Sequence, residues 1–388
     1  MKQNESAPAR SWSIDWTNTL FLLGYHLLLL ILLPIYLVQS SPSASLLWWT
    51  LGLAAASLLA ITMGYHRLYA HKTFTTHPAV EAILVFFGTY ATEGSIFSWS
   101  HDHRIHHKHV DTKLDPYSAP DGFWHSHMLW MLKKRPEINP RVIHDLVKRP
   151  ALQFQHDKYG YLMVAANAIG IGFLWAVTGD LFGAFVIGTL LRMFVVHHCT
   201  WFINSLAHMW GAQPYSTEHT AVNNFILSFL TFGEGYHNYH HTFAGDYRNG
   251  VRWYQFDPPK YFIWALSKIG LASNLKTVNK ITIKRNLVAA DRHLMVERVQ
   301  ALSIHIDRDA WIARIEEAAA SLTENLNGLK TASDRYQKLK KQKDEEVVIL
   351  RARIKEVKAN VAFEMAEWKK MCHLILETSE HKLARQLA

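Results

Sequence analysis

The sequence predicts an all-α integral membrane protein with four transmembrane helices, a histidine-box cap on the cytoplasmic side and a C-terminal helical extension. Three observations predict this fold: four long apolar runs, histidine-rich motifs near their ends, and a charged C-terminal segment with helical periodicity. We expect one domain at residues 1–280 and the extension at residues 281–388.

Four apolar segments are long enough to cross a bilayer, which takes about 20 helical residues. The predicted spans cover about residues 20–38, 46–65, 161–177 and 181–203. Arg192, His197 and His198 lie in the fourth span, so we expect its second half inside the protein or near the membrane interface. The alternative is a soluble protein with two buried helical hairpins, but four apolar runs of this length are unusual in a soluble core.

The distribution of charge predicts how the spans are oriented. Residues 39–45 and 178–180 carry no Lys or Arg, whereas residues 64–160 and 204–388 carry nearly all of them. The positive-inside rule therefore places both termini and the long segments in the cytoplasm. A bacterial inner membrane and the endoplasmic reticulum both fit this prediction.

Composition excludes several classes of function. With only two cysteines, Cys199 and Cys372, the chain has neither a disulfide framework nor a cysteine-based zinc or iron–sulfur site. The formal net charge of +9 favours anionic lipid surfaces or phosphate-bearing substrates as partners. The Lys and Arg residues are scattered without a nucleic-acid fold signature, so we expect no nucleic-acid partner.

Histidine-rich motifs cluster on the predicted cytoplasmic side. They are HRLYAH with His66 and His71, HRIHH with His103, His106 and His107, NSLAH with Asn204 and His208, and HNYHH with His237, His240 and His241. Adjacent residues diverge by about 100° on an α-helix, so His106 and His107 suit two neighbouring metals. His66 and His71, five residues apart, are expected to diverge in the same way. In the last box, the imidazoles of His237, His240 and His241 are expected to lie on one helix face and to point in one direction.

Nine histidines with an asparagine nearby indicate two metal ions, because a single zinc takes only about three or four protein ligands. The sequence has no HExxH and no Glu-x-x-His repeat, which argues against a zinc protease and a soluble di-iron bundle. A histidine-rich di-iron centre at the membrane surface is the remaining candidate. Other histidines are interpreted as ordinary core or interface residues, namely His77, His125, His127, His144, His156, His197, His198 and His219, while His101 and His109 are expected beside the ligands.

An iron pair with open coordination positions can activate oxygen. In a membrane this suggests an apolar substrate whose C–H bonds no side-chain acid or base can break. Oxygen-dependent attack on a lipid chain follows, and both desaturation and hydroxylation fit. A metal sensor or transporter would need polar residues along the spans, and the spans have few.

The histidine motifs also carry a family resemblance, together with TMGYHRLYAH, DPYS, GFWHSHMLWML and HTFAGDYRNGVRWYQFDP. In this order they resemble the membrane fatty-acid desaturases of the Δ9 acyl-CoA (stearoyl-CoA) type, over about residues 12–276. The resemblance implies that O2, two electrons and two iron ions place a cis double bond in a saturated long-chain acyl group. The implied metal ligands are His66, His71, His103, His106, His107, His208, His237, His240 and His241, with Asn204 holding one iron through a water.

The same resemblance implies a closed tunnel for the acyl chain. Thr50 and Ala54 would form its floor, and Trp99 and Trp201 are candidates for its wall, with ordinary helix packing as the alternative at all four. His101 stands where the animal enzymes have arginine, so the acyl carrier stays open between CoA, acyl carrier protein and an intact lipid.

The extension shows helical periodicity. Apolar residues recur mostly every three or four positions, at Leu350, Ile354, Val357, Val361, Met365, Trp368 and Ile375. Mixed charges such as KKQKDEE lie among them, as in long amphipathic helices or a coiled coil. The sequence has no His-Pro-Gly-Gly, so electrons must come from a separate donor such as cytochrome b5 or a ferredoxin. The extension can dock that donor, mediate self-association or cover the cap, and the alternative that we favour is a solvated helical appendage.

Overall fold

A computed structural model describes residues 13–303, 306–342 and 346–378 of the chain. Regular structure in these residues is helical apart from one antiparallel pair of two-residue strands. The predicted helical fold, with four candidate spans and a helical extension, is confirmed. Residue 12, where the family resemblance begins, and residues 379–388 of the predicted extension lie outside the described residues.

The helices and strands follow one another along the chain. The α-helices are α1 (Trp16–Gln39), α2 (Ala44–Leu59), α3 (Pro78–Tyr90), α4 (Ile96–His109), α5 (Phe123–His127), α6 (Pro150–Asp157), α7 (Tyr159–Thr178), α8 (Leu181–Phe185), α9 (Arg192–Asn204), α10 (Phe225–Leu230), α11 (His237–Thr242), α12 (Pro258–Lys268), α13 (Lys280–Ala301), α14 (Arg308–Gln342) and α15 (Glu346–Cys372). Segments of π-helix lie at Ala60–Ala70, Val186–Leu191 and His373–Glu377, and 3₁₀ turns at Ala119–Asp121, Leu129–Leu132 and Leu206–His208. β1 (Thr75–Thr76) pairs with β2 (Ala272–Ser273).

Among the described residues, four continuous helical segments are long and apolar enough to cross a membrane. They run over Trp16–Gln39, Ala44–Ala70, Tyr159–Thr178 and Leu181–His208, and each contains one predicted span. Their outer faces carry exposed apolar side chains: Leu30, Val38 and Trp48 are 72%, 88% and 72% exposed. So much exposed apolar surface suits lipid rather than water.

A tight turn joins the last two spans. Gly179 ends α7 with a φ of 73°, in the left-handed region that glycine adopts without strain. Asp180 then caps α8 by accepting a hydrogen bond from Gly183 N at 2.7 Å, and it accepts another from the Tyr36 hydroxyl at 2.6 Å. The turn is therefore held to the first span as well as to its own helix.

The second span changes its hydrogen bonding where the first histidine box begins. Helix α2 continues without interruption into π-helix over Ala60–Ala70. At its end, His71 N donates to His66 O at 3.0 Å, a bond across five residues instead of four. Residues five apart therefore lie on the same face, which matters for the first box.

Two compact units make up the chain. The first comprises Met1–Ala212 and His219–Thr277, and the second comprises Gln213–Glu218 and Val278–Ala388. In the second unit α14 packs against both α13 and α15. All the periodic apolar residues predicted for the extension belong to its core, namely Leu350, Ile354, Val357, Val361, Met365, Trp368 and Ile375.

Candidate metal centre

The histidine boxes meet in the first unit, where their side chains form two groups that can each hold a metal ion. The first group contains His66, His71, His103, His107 and His240, and the second contains His106, His208, His237 and His241. Within each group, one ligand atom per histidine lies within 4.8 Å of all the others. Four helical or turn segments from separate parts of the sequence supply these nine side chains.

The Nε2 atoms of both groups point inward. In the first group the Nε2 atom of His240 lies 2.9 Å from those of His66 and His107. In the second group the Nε2 atom of His237 lies 3.1 Å from that of His208 and 3.0 Å from that of His241.

Several Nδ1 atoms point outward to fixed partners. His66 Nδ1 lies 3.0 Å from Glu234 Oε2, and His106 Nδ1 lies 2.9 Å from both carboxylate oxygens of Asp115. A carboxylate can only accept, so each of these Nδ1 atoms donates its proton to the carboxylate and leaves Nε2 as the ring nitrogen that faces inward. This carboxylate–histidine arrangement is typical of metal ligands.

Electrostatics also favour neutral rings. Burial is the main cause that lowers the pKa well below its ordinary value in His71, His103, His107, His237, His240 and His241. Neutral imidazoles are the form that binds metals. Lone pairs that face each other at about 3 Å repel unless a proton or a cation lies between them. The donor set therefore fits two metal ions.

The grouping corrects two expectations. His66 and His71 were expected to diverge, yet both belong to the first group, because the π-helical backbone places residues five apart on one face. The three imidazoles of the last box were expected to point in one direction. Instead, His240 belongs to the first group, and His237 and His241 belong to the second. His106 and His107 do lie in different groups, as expected for adjacent helical residues.

A buried ion-pair network lies behind the first box. Arg67 Nη2 lies 3.0 Å from Glu234 Oε1 and 2.9 Å from Asp257 Oδ1, and all three side chains are at most 1% exposed. Burial alone would raise the pKa of Glu234, but the neighbouring His66 and Arg67 hold it below its ordinary value. Asn249 completes the network by donating to Glu234 Oε2 at 2.6 Å. Glu234 thus connects His66 of the first histidine group to a buried ion-pair network.

The residues that orient the histidine rings were not predicted from the sequence. They are Glu234, Asp115, Tyr117, Thr220 and Asp111. Of these, Asp115 and Tyr117 lie within DPYS and Glu234 lies within EGYH, so a search for carboxylates next to the boxes would have found some of them. Thr220 is not a carboxylate and does not lie in a histidine box, so such a search would not have found it. Its hydroxyl lies 2.8 Å from His208 Nδ1 and donates to Asp111 Oδ1 at 2.6 Å.

Replacing Thr220 with valine is expected to weaken metal binding in the second group about 10- to 100-fold, the usual effect of losing such a supporting hydrogen bond. The Thr220 backbone still donates to Asp111 at 2.6 Å, so we expect the loop to fold. Metal content is measured during a chelator titration. Thr189→Val is the control, because the Thr189 hydroxyl bonds only to Ala184 O in its own helix. Equal chelator sensitivity of the Thr220 variant and the wild type would contradict the role of this hydroxyl.

A cavity of about 340 Å³ opens against the metal ligands. His66 and His103 reach it from the first group, and Asn204 lines it four residues before His208. Trp99 and Trp201, two of the predicted tunnel residues, also line this cavity. It therefore connects the first histidine group to the space between the helices.

The other predicted tunnel residues lie elsewhere. Thr50 and Ala54 are buried on α2 but do not belong to the lining of this cavity. Ala54 packs in a core cluster with Ile61, and Ile61 does line the cavity. Their predicted place at the tunnel floor stays a prediction.

The remaining histidines make other contacts. His198 links two neighbours, with Nε2 at 3.2 Å from His26 Nε2 and Nδ1 at 2.9 Å from His127 Nε2. His101 lies 3.0 Å from Asp102, and the ring of His219 packs 5.2 Å from that of His241.

Comparison with protein families gives a match to the fatty acid desaturase model over residues 42–262. The chain is similar to a probable acyl-CoA desaturase of Schizosaccharomyces pombe, 38% identical over 282 residues, which cover 71% of this chain and 57% of the relative. It is also similar to acyl-CoA desaturase 1 of Saccharomyces cerevisiae, 40% identical over 237 residues, which cover 60% of this chain and 46% of the relative.

A third similar protein is the sn-1 stearoyl-lipid 9-desaturase of Anabaena variabilis. It is 36% identical over 272 residues, which cover 69% of this chain and 96% of the relative. The chain therefore matches about half of the length of the two yeast proteins and nearly all of the cyanobacterial one.

Proposed function

The chain belongs to the fatty acid desaturase family, and from this premise we propose that it is an oxygen-dependent di-iron acyl desaturase. In this proposal it introduces a cis double bond, at the Δ9 position, into a saturated long-chain acyl thioester. Two electrons come from a separate donor protein. The observation that carries the proposal is the pair of inward-facing histidine groups, of which the first lines a cavity between the helices.

Iron is the metal we assign to both groups, with Asn204 supporting one ion through a water. Bound iron would supply oxygen activation and the oxidising power needed to remove hydrogen from an unactivated C–H bond. The histidines hold the metals, and Glu234 and Asp115 fix the rings of His66 and His106. The surrounding burial keeps water away from the reacting carbons.

The cavity supports an acyl chain as substrate. Its exposed lining is mostly apolar, and Trp99 and Trp201 would direct the chain past His66 and His103 of the first histidine group. Arg135 also lines the cavity, where it pairs with Asp102 at 2.6 Å, and this pair gives the apolar cavity a polar end. The two yeast relatives are named for acyl-CoA and the cyanobacterial one for a stearoyl-lipid, and we propose the thioester.

We also propose that the protein crosses the membrane four times, with the metal centre and both termini in the cytoplasm. The four apolar helices support the number of crossings, and the positive-inside rule supports the orientation. The host membrane is then a bacterial inner membrane or the endoplasmic reticulum.

Glu93 gives this cavity a pH dependence. Its carboxylate accepts a hydrogen bond from the Thr200 hydroxyl at 2.8 Å, and burial raises its pKa from 4.5 to about 8. The protonated Glu93 carboxyl is neutral, so an apolar acyl chain can pack against it. Deprotonation places an unfavourable charge on the cavity wall beside that acyl chain. The KM for substrate is therefore expected to rise as the pH passes about 8.

The same titration affects stability. Because the pKa of Glu93 is higher in the folded protein than in the unfolded chain, the unfolded chain releases this proton at a lower pH. The contribution of Glu93 to the free energy of unfolding is therefore fully present below pH 4.5 and is lost as the pH rises through about 8. Glu93→Gln is expected to remove both pH effects while keeping activity at neutral pH. Exposed Glu137→Gln is the matched control. A wild-type pH profile that Glu93→Gln leaves unchanged would count against this assignment.

Ala54→Leu tests the predicted tunnel floor. If the acyl chain passes Ile61 and ends against α2, the larger side chain shortens the accepted substrate, and the product profile shifts to shorter acyl chains. Ala55→Leu, about 100° around the helix, is the control. Unchanged product lengths in Ala54→Leu would remove this residue from the tunnel.

Expression in a host that lacks its own desaturase tests the proposed function. Fatty-acid profiling with location of the double bond by mass spectrometry should reveal cis-Δ9 monounsaturated chains. Hydroxylated chains instead would make the protein a di-iron hydroxylase. Zinc-loaded protein without any lipid product would overturn the enzymatic role.

A further inference from the structure

Four imidazoles surround Trp201 on the wall of the acyl cavity. The Trp201 ring centre lies 4.9 Å from the ring of His198, 5.3 Å from that of His197, 5.8 Å from that of His127 and 6.1 Å from that of His26. Trp201 is only 4% exposed, although it lines the cavity. In such a close-packed interior, the indole can turn only if these imidazoles move with it.

Three of these imidazoles form one hydrogen-bonded chain. His26 Nε2 lies 3.2 Å from His198 Nε2, and His198 Nδ1 lies 2.9 Å from His127 Nε2. His127 Nδ1 in turn lies 3.0 Å from the hydroxyl oxygen of Ser205, which is also 3.0 Å from Trp201 O. The chain therefore links α1, α5 and the end of α9, three helices from separate parts of the sequence, behind one residue of the cavity wall.

One carbonyl group assigns the protons along this chain. Leu22 O lies 2.6 Å from His26 Nδ1 and can only accept, so His26 carries its proton on Nδ1. Neutral rings are favoured, because a charged ring inside a membrane segment is costly and because burial lowers the pKa of His127. With neutral rings, His198 must donate to His26 and accept from His127. His127 then accepts from the Ser205 hydroxyl, so each imidazole has one defined orientation.

We propose that His198, in the middle of this chain, is a positioning residue for Trp201 and thereby fixes which carbon of the acyl chain faces the first histidine group. Trp201 lines the same cavity as His66 and His103 of that group. This inference rests on the proposed function, in which that carbon is where the double bond forms. Neighbouring carbons of an acyl chain lie close together, and a misplacement of about 1 Å can lower a reaction rate about 100-fold. A displaced indole therefore changes both the rate and the position of the double bond.

Two substitutions of His198 separate its hydrogen bonding from its packing. In His198→Leu the new side chain fills the space but leaves His26 and His127 without their partner. In His198→Gln both bonds can be kept, because the amide nitrogen can donate to His26 and the amide oxygen can accept from His127. A role in packing alone predicts the same product from both variants, whereas positioning by hydrogen bonds predicts a changed product from His198→Leu only.

The test locates the double bond in the product of the iron-loaded full chain. His198→Leu is expected to lose up to about 100-fold in the rate of Δ9 product formation and to place part of its double bonds on the neighbouring carbons. His198→Gln should keep the single position and a rate close to that of the wild type. Val195→Leu is the control, because Val195 lies on the same helix and is 43% exposed.

A second measurement needs neither iron nor turnover. All 14 tryptophans are replaced by 5-fluorotryptophan, and the Trp201 resonance in the ¹⁹F NMR spectrum is the one that is absent from Trp201→Phe. This resonance should shift or broaden in His198→Leu and keep its position in His198→Gln. If His198→Leu does not fold, His26→Leu replaces it, removes one end of the chain, and must show a smaller change of the same kind.

The two measurements distinguish the outcomes. A Trp201 resonance and a double-bond position that His198→Leu leaves unchanged would overturn the positioning role and leave the desaturase assignment intact. Equal changes in His198→Leu and His198→Gln would also overturn this role, because they would follow packing instead of hydrogen bonding. A wild type that forms no double bond would overturn the proposed function and, with it, the effect of His198 on the product.

Discussion

Replacing His240 or His237 with alanine is expected to abolish product formation and to remove metal from different groups. His240 belongs to the five-histidine group, so its loss leaves four imidazoles for one ion. His237 belongs to the four-histidine group, so its loss leaves only three. His237→Ala should therefore lose more iron than His240→Ala, while both lose activity, because one ion alone cannot complete the reaction.

The measurement is iron per chain together with product formation. Exposed His144→Ala, in which an imidazole outside both groups is lost, should keep the wild-type iron content and activity. Full iron retention in both ligand variants would contradict the assignment of these histidines to the metals.

Replacing Arg67 with methionine is expected to destabilise the folded protein by about 3–5 kcal/mol, the cost of breaking a buried ion pair from one side. The methionine fills much of the volume, but Glu234 and Asp257 would keep two carboxylates in the core without their guanidinium. Glu234 also orients His66, so loss of iron from the first group should accompany the loss of stability.

Thermal unfolding in detergent, with and without iron, measures both effects. Arg292→Met is the control, because the Arg292–Glu316 pair is 44% and 45% exposed. Exposed pairs contribute only about 0–1 kcal/mol. Similar melting temperatures for the Arg67 and Arg292 variants would show that the buried network is not required for the fold.

Local sequence patterns were sufficient to predict the helical fold. The apolar runs predicted four spans that lie inside the four long apolar helices, and the three- and four-residue spacing of the extension predicted the core face of α15. Both features depend on which face of a local segment is apolar, and the sequence records this directly.

The site was less predictable, because its geometry depends on contacts between distant segments. The π-helix that aligns His66 with His71 gives no clear sequence signal, and α-helical spacing therefore predicted the wrong relation. Thr220 reaches His208 through a loop conformation, and Asp111 joins it from more than 100 residues away. Thr50 and Ala54 were placed at the tunnel floor by family resemblance, and because they lie outside the lining of the described cavity, that placement stays a prediction.

The mass of the product tests the central claim most directly. Iron-loaded protein is first reduced without oxygen by a stoichiometric amount of dithionite with a neutral mediator. It is then mixed with O2 and a saturated long-chain acyl-CoA, and the acyl product is analysed by mass spectrometry. We expect an acyl chain lighter by two hydrogens, with a cis double bond at Δ9. A chain heavier by one oxygen, or an unchanged substrate with iron present in both groups, would contradict the assignment of this chain as a desaturase.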